Sequence, residues 1–266
     1  LKLSLGILVP IIIVCGLGSV IAPYDPTATH VVDRFADPGG KYLLGTDHLG
    51  RDLLSRVIIG GQVSLLLGFS ATGLALTLGV PVGLTAGYLR GRVDEALMRL
   101  MDLLMSIPTL LLGLLILSML PPRLINIIAA IGIVYTPRIA RVVRSATLSV
   151  RSQEFVLAAR ARGESKWYVM FREILPNILP PIVVEGSIRV GFAILIGTSL
   201  SFLGIGAQPP NPDWGYMISV ARQHMFQSVW FLLWPSLALG LTIFSMNMLG
   251  DGLRDVLDTT IDTEEL

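Results

Sequence analysis

Residues 63–89 read VSLLLGFSATGLALTLGVPVGLTAGYL and contain no Asp, Glu, Lys or Arg. The hydrocarbon core of a bilayer is about 30 Å thick, so about 20 consecutive apolar residues in a helix can cross it. The stretch therefore predicts a membrane-spanning helix. The whole chain agrees, since 53% of its residues are hydrophobic, 15% are charged and its mean hydropathy is +0.71. A soluble domain usually carries about 25% charged residues.

Five further segments meet the same criteria of length and composition. They are residues 3–22, 97–120 and 124–143, one stretch within 178–205 and one within 229–249. The sequence therefore predicts an all-α integral membrane protein with six transmembrane helices. Because Lys2 precedes the first segment, a secretory signal is the alternative there, but its apolar run is long and it lacks a small-residue cleavage site. We favour a retained helix.

Positive charge is concentrated between particular segments. Residues 138–173 contain eight basic residues and three Glu, and the turn over 90–99 adds three Arg, whereas Arg222 is the one basic residue of 207–228. Basic loops remain on the cytoplasmic side of a membrane. Six spans then place both termini in the cytoplasm and residues 23–62 outside. The net charge of +1 gives no support for nucleic-acid binding.

Span two carries Gly79, Gly83 and Gly87, two overlapping small-xxx-small repeats on one helical face. Apolar helices in lipid associate through close backbone approach rather than through a hydrophobic driving force. This face therefore packs either against another helix of the same chain or against a second subunit.

Glu185 and Arg189 lie four residues apart in the fifth span, with the acid on the N-terminal side. This order favours an ion pair within a helix, and a lone charge at the centre of a bilayer is costly. The two residues are either a structural pair or part of a transport pathway. Ser199 and Ser201, further along the same span, are the other pathway candidates.

The loop EFVLAARARGESKWYVMFREILP, residues 154–176, predicts two short helices. The first covers 153–162 and stops at Gly163, the residue best suited to a left-handed helix end. The second begins at a Ser165 cap and ends before Pro176.

The predicted surfaces of these two helices suit a protein partner. Small residues and cations alternate on the exposed flank of the first: Ala158, Ala159, Arg160, Ala161 and Arg162. The second carries one apolar stripe: Trp167, Met170, Phe171 and Ile174. A groove on a soluble partner could receive such helices. An amphipathic helix on anionic lipid would explain the stripe and the arginines, but not the Ala-Ala…Gly break.

This loop resembles the coupling loop of ABC importer permeases, which carries two alanines, a glycine and a later Leu-Pro. The matching residues are Ala158, Ala159, Gly163, Leu175 and Pro176. The acidic residue lies at Glu154, in the arrangement Glu-Phe-Val-x-Ala-Ala, which is similar to the dipeptide/oligopeptide/nickel branch. Leu157 and Glu173 depart from the broad family's pattern.

Other blocks resemble the same branch in the same order. They are LGTDHLGRDLLSR at 44–56, SLSFLG at 199–204 and PDWG at 212–215. The resemblance covers nearly the whole chain and indicates the second ("C-type") permease of a pair. Gly197 and Arg189 depart from the branch's usual residues.

The resemblance implies a bacterial inner-membrane permease that works with several partners. These are a second homologous permease in a heterodimer, two cytoplasmic ATPases or one fused ATPase, and an external solute-binding protein. The sequence contains no phosphate-binding loop ending in Gly-Lys-Ser/Thr, so ATP and Mg²⁺ would be bound by the partners and no cofactor by this chain. Peptides are the implied substrate, with nickel, glutathione, haem or another small solute as alternatives.

The resemblance also implies roles for particular residues. In the ATPase groove, Ala158, Ala159 and Gly163 would permit a close fit, Arg160 and Arg162 would add charged contacts, and Glu154 would orient the loop. Outside, the residues themselves predict an interfacial helix over 46–58, from the cap-like Asp47 and the apolar Leu49, Leu53, Val57 and Ile58. We expect Asp47, Arg51 and Asp52 of this segment to help dock the binding protein. The implied organisation is an N-terminal span at 1–22, an external loop at 23–62, a five-helix core at 63–250 with the coupling loop at 144–176, and an acidic cytoplasmic tail at 251–266.

Two other classes of protein are less compatible with the sequence. A secondary transporter would show inverted repeats and several ionisable residues inside its spans. An intramembrane enzyme would need a convergent polar cluster at one depth, but His30, His48 and His224 are dispersed. The single cysteine, Cys15, excludes an internal disulfide. We therefore expect no catalytic residues and no metal site.

Overall fold

The computed structural model describes residues 1–206 and 209–262, with the side chains of 1–206 and 209–257. Apart from a short 3₁₀ turn and two isolated β-bridges, the secondary structure of this part of the chain is α-helical or π-helical. The helices before the loop are α1 (Lys2–Gly16), α2 (Gly18–Ile21), α3 (Leu53–Leu89), α4 (Gly91–Ser106), α5 (Thr109–Ser118) and α6 (Leu124–Val150). The loop contains α7 (Glu154–Ala161), α8 (Lys166–Tyr168), a π-helical turn (Val169–Ile174) and α9 (Leu175–Asn177). The remaining helices are α10 (Leu179–Phe202), α11 (Trp214–Gln223) and α12 (Val229–Asp262).

Four of the described helices are long and apolar enough to cross a membrane, namely α3, α6, α10 and α12 up to Leu257. Helices α4 and α5 together form a fifth candidate span, and α1 is a shorter apolar helix. This arrangement is roughly that of the six apolar segments found in the sequence. It confirms the all-α membrane class.

The third predicted span is not one straight helix. Helices α4 and α5 meet at an angle of 88°. Between them Ile107 and Pro108 have extended backbone, with ψ of 130° and 133°. Proline disfavours helical backbone in the residue before it, which is why the helix ends here. The prediction of a continuous helix over 97–120 is therefore wrong.

Several helices extend beyond their predicted ends. Helix α3 begins ten residues before the expected span, because Asp52 caps it at Leu53 by accepting a hydrogen bond from the Ser55 N–H at 2.7 Å. The predicted interfacial helix over 46–58 is accordingly wrong, since residues before Leu53 form turns and the rest belong to α3. Likewise, the predicted tail begins as a continuation of α12 up to Asp262, and its last four residues lie outside the described part of the chain.

The glycine face of α3 packs against α6 of the same chain. A Cβ on Gly79 would lie 2.8 Å from Ile139 Cγ2, and one on Gly87 would lie 2.7 Å from Thr147 Cβ. At Gly83, it would lie 2.7 Å from the Val143 Cβ. The structure thus supports the first of the two alternatives, packing within the chain. This contact fixes α6, the helix that leads into the loop.

Candidate functional site

Helix α7 is anchored through two fully buried side chains. Val156 and Ala159 are both 0% exposed and belong to the main apolar core, together with Val150 at the end of α6. The sequence-based placement of Ala159 on the exposed flank is wrong. Positions three residues apart share one face of a helix, so Ala159 lies on the same inward face as Val156.

Helix α7 ends in a Schellman motif, as the glycine predicted. Gly163 has φ of +81°, its N–H donates to the Arg160 carbonyl at 3.0 Å, and the Glu164 N–H donates to the Ala159 carbonyl at 3.2 Å. Within this chain a Cβ on Gly163 would meet no heavy atom within 4 Å. The glycine is therefore required here for its backbone conformation, whatever else a partner demands.

The second part of the loop begins as predicted but continues further. Ser165 caps it, since its hydroxyl accepts a hydrogen bond from the Tyr168 N–H at 3.2 Å. The backbone then widens into the π-helical turn and runs through Pro176 to a break at Ile178. The prediction that the helix ends before Pro176 is wrong. Proline lacks an N–H and cannot make the usual bond to the carbonyl four residues back, and the widened turn directly precedes it.

The predicted apolar stripe is only partly buried. Met170 and Ile174 are 3% and 0% exposed and join the main core, and Phe171 packs against that core while partly exposed. Trp167, in contrast, is 67% exposed and stacks on Phe171 with ring centroids 5.4 Å apart. Thus the loop keeps a large aromatic surface uncovered beside α7.

The uncovered face of the loop combines small, basic and aromatic side chains. The exposed residues include Leu157, Ala158, Arg160, Ala161, Arg162, Gly163, Ser165, Lys166, Trp167 and Tyr168. Glu154 is also exposed and lies in the first turn of α7, where an acidic side chain interacts favourably with the helix dipole. Leu175 is half-buried and Pro176 exposed at the far end.

Glu173, one of the two departures from the family pattern, joins the two parts of the loop. Its carboxylate lies 3.4 Å from Arg162 Nη2, and Glu164 lies 3.9 Å from Arg162 Nε. Asn177 donates to the Glu173 carbonyl at 2.7 Å. Arg162 is therefore engaged by acidic neighbours within the loop, while Arg160 is exposed.

Glu185 and Arg189 form the ion pair that their spacing predicted. The Oε1–Nε distance is 2.5 Å, and the two side chains are 14% and 13% exposed. The guanidinium also lies over the rings of Tyr135 and Phe192, 5.7 and 5.4 Å from their centroids. Glu185 and Arg254 line a cavity of about 450 Å³ between α6, α10 and α12. The pair is therefore satisfied internally and also borders an open space.

The two serine candidates have different environments. The Ser199 hydroxyl donates to the Leu195 carbonyl at 2.8 Å within α10. Ser201 is buried and hydrogen-bonds to Asp213, a residue that sequence reasoning did not select. Asp213 also caps α11 at the Tyr216 N–H and accepts from Ser64 of α3 at 3.3 Å. Burial raises the pKa of the Asp213 carboxyl. The aspartate directly preceding a helix was the signal that could have identified it.

The three external candidates are interior residues. Asp47, Arg51 and Asp52 are 0%, 4% and 3% exposed. Asp47 Oδ2 lies 2.7 Å from Arg51 Nε and 3.4 Å from Arg56 Nε, and Asp52 is the cap of α3. Charges taken out of water must pair, so these groups hold the segment before α3 together. Their side chains do not form an exposed charged surface.

Two of the three histidines, which are distant in sequence, come together. His48 and His224 stack with ring centroids 5.3 Å apart, whereas His30 is exposed. Among the residues that the structure describes, no three His, Cys, Asp or Glu side chains form a group able to hold a metal ion.

Long apolar helices around an anchored helical loop define a multi-pass membrane protein of the permease type. The chain belongs to the family described as "binding-protein-dependent transport system inner membrane component", which matches residues 79–263, more than half of its length. It is thus a permease subunit of an ABC importer, a transport component.

Known proteins resemble the chain over most of its length. A putative peptide transport system permease protein of Brucella suis is 41% identical over 264 residues, 98% of this chain and 88% of the relative. A di/tripeptide transport system permease protein of Pseudomonas aeruginosa is 40% identical over 255 residues, 93% and 84% of the two chains. The fold is similar to that of the methionine ABC transporter MetNI in inward-facing conformations, with a TM-score of 0.62 and 17% identity over 76% of this chain and 95% of the other.

Proposed function

We propose that this chain forms half of a translocation pathway for di- or oligopeptides and is driven by cytoplasmic ATPases that dock on the loop over 154–176. The observation that carries the coupling proposal is the construction of the loop. Val156 and Ala159 fix α7 to the core, while Ala158, Ala161 and the glycine-ended turn stay exposed. A rigid, narrow helix of this kind can enter a groove and transmit its movement to α6 and α10.

The proposed assembly has four kinds of component. A second, homologous permease would complete the pathway, and two ATPases or one fused ATPase would bind ATP and Mg²⁺ and hydrolyse ATP. An external solute-binding protein would deliver substrate. The chain would lie in the bacterial inner membrane with both termini in the cytoplasm, because residues 138–173, which include most of the loop, contain eight basic residues.

Residue roles follow the measured exposure. Ala158 and Gly163 would contact the ATPase directly, and Ala159 would hold α7 in place by packing against the apolar core. Arg160 would make the stronger charged contact, since Arg162 is engaged by Glu173. Glu154, Leu175 and Pro176 would set the orientation of the loop at its two ends.

Two further sites have supporting roles in this proposal. Asp47, Arg51 and Asp52 would serve docking of the binding protein by shaping the external loop rather than by touching that protein. In the pathway, Glu185 is the strongest candidate because it lines the cavity beside α12. Arg189, Ser199 and Ser201 would support that wall of the pathway.

The coupling proposal can be tested with the complete complex in nanodiscs. We expect Ala158→Glu to lower the ATP hydrolysis stimulated by the binding protein about tenfold or more, because the new charge would be buried unpaired in the ATPase groove. The control is Ser152→Glu, since Ser152 is exposed just before α7. Equal stimulated hydrolysis in both variants would show that α7 does not enter the ATPase groove. Uptake driven by an ion gradient without ATP would favour a secondary transporter instead.

The peptide assignment rests on the relatives and needs its own experiment. Uptake of a labelled dipeptide into proteoliposomes should require the binding protein and ATP, and unlabelled tripeptide should compete with it. Competition by Ni²⁺, glutathione or haem, without competition by peptides, would indicate that the importer transports one of those solutes instead.

A further inference from the structure

The external side of the structure contains a closely packed pair of imidazoles. The rings of His48 and His224 stack with centroids 5.3 Å apart and an angle of 12° between their planes. His48 also stacks on Phe231 at 5.7 Å, and His224 packs against Phe35 at 5.4 Å. The His224 ring is also held by Gln227, whose Oε1 lies 2.7 Å from His224 Nδ1.

This contact joins separate parts of the fold. His48 belongs to the turn over 46–52, which leads into α3, and His224 ends α11 just before α12 begins. The turn is otherwise organised by Asp47, whose carboxylate accepts from the N–H groups of Leu49 and Arg51 at 2.8 and 3.0 Å. The histidine pair is thus a direct side-chain link between the start of α3 and the α11–α12 corner.

The charges around His48 oppose a proton on its ring. Burial lowers the pKa of the His48 imidazole, and Arg51, His224 and Arg56 act in the same direction against the carboxylate of Asp47. His48 Nδ1 is buried and has no hydrogen-bond partner. A second positive charge in this group would be poorly compensated.

We propose that the stacked His48–His224 pair is an acid-sensitive latch, which closes the external turn 46–52 onto the α11–α12 corner at neutral pH and releases it when both rings are protonated. His224 is partly exposed, so protons reach the pair from the external solution. Two stacked imidazolium ions would repel each other and the nearby arginines. Delivery of substrate from the external side would then depend on pH.

The direction of the effect follows from linkage. A base whose pKa is lower in the folded protein than in the unfolded chain stabilises the structure fully above its ordinary pKa, about 6.5 for histidine. That contribution is lost progressively as the pH falls below this value. The latch is therefore closed at neutral pH and opens in acid.

The chain itself provides a direct test, because an NMR spectrum contains the signals of three histidines only. NMR of ¹³C-histidine-labelled protein in nanodiscs should show His48 titrating below the ordinary histidine pKa of about 6.5. In His224→Gln, the titration of His48 should move toward that ordinary value. An unchanged titration of His48 in the variant would overturn the latch.

A functional measurement separates this proposal from the transport assignment. In the reconstituted complex we expect wild-type stimulation by the binding protein to be about tenfold lower at pH 5.5 than at pH 7.5, with a smaller drop in His48→Gln and His224→Gln. His30→Gln should follow the wild type. Identical pH profiles in all four proteins would reject the latch while leaving the importer assignment intact. Absence of stimulation at every pH would instead count against the proposed transport function, and the NMR titration would still decide the latch.

Discussion

Arg144 of α6 and Asp94 of α4 form a two-pronged ion pair, with Nε 2.5 Å from Oδ1 and Nη2 2.6 Å from Oδ2. The Asp94 side chain is 13% exposed and that of Arg144 is 34% exposed. Through this pair the bent α4–α5 segment is attached to α6, the helix that leads into the proposed coupling loop.

Loss of the pair should weaken the fold measurably. We expect Asp94→Asn to lower the free energy of unfolding by about 1 kcal/mol, because the contact is bidentate and charge-assisted but partly reached by water. Thermal unfolding in nanodiscs of Asp94→Asn, Arg144→Gln and the double variant measures the interaction energy of the pair. Glu95→Gln is the control, since the Arg99–Glu95 pair has side chains 77% and 65% exposed and should contribute nothing measurable. Equal effects of the two substitutions would contradict this account.

The contact between α3 and α6 predicts a sharp difference between two glycines of the same helix. In Gly83→Ala the new methyl would lie 2.7 Å from Val143 Cβ and 3.0 Å from the Arg144 nitrogen, so the helices must separate. We expect a loss of about 1–3 kcal/mol in the free energy of unfolding. Gly73→Ala should be neutral or slightly stabilising, since its methyl meets nothing within 4 Å. A neutral Gly83→Ala would show that the close packing is dispensable.

Substitutions at Gly163 test whether its backbone conformation or its lack of a side chain is what the proposed coupling loop requires. A left-handed residue costs about 1–2 kcal/mol for most L-amino acids, while asparagine tolerates it. Gly163→Asn should therefore keep most of the ATPase stimulation, and Gly163→Val should lose about tenfold. Stimulation assays on the two purified complexes provide the comparison. If both variants lose activity equally, the space in the partner's groove is the limiting factor rather than the φ of +81°.

Asp213 should make the free energy of unfolding fall as the pH rises. Because burial raises its pKa, the folded protein holds this proton more tightly than the unfolded chain, and the resulting stability is lost as pH rises through the folded pKa. Asp213→Asn keeps a capping oxygen and should remove that slope. Asp213→Ala should lose about 1–2 kcal/mol at neutral pH, since the helix cap and Ser201 lose their partner. Unfolding curves between pH 4.5 and 7.5 are the measurement, and a slope retained in Asp213→Asn would assign it to another group.

Much of the fold and of the local structure of the loop over 154–176 was predictable from local sequence. Apolar stretches without charged residues predict membrane helices, because the backbone N–H and C=O groups of each stretch must form their hydrogen bonds within that stretch in lipid. The Schellman end at Gly163 and the Ser165 cap depend on a few neighbouring residues, as does the Glu185–Arg189 pair one helical turn apart. These features were identified from the order of residue types alone.

Tertiary structure decided which side of each element faces inward. It turned Ala159 to the core, buried Asp47, Arg51 and Asp52 among their own partners, and brought His48 onto His224. It also placed Ser64 and Asp213, 149 residues apart, within hydrogen-bond distance. Contacts between such distant residues depend on how whole helices pack, and the periodicity of a single segment carries no information about its neighbours. The sequence alone thus indicated a permease with a helical loop that we propose to be its coupling element, whereas the packing determined which residues of that loop are exposed.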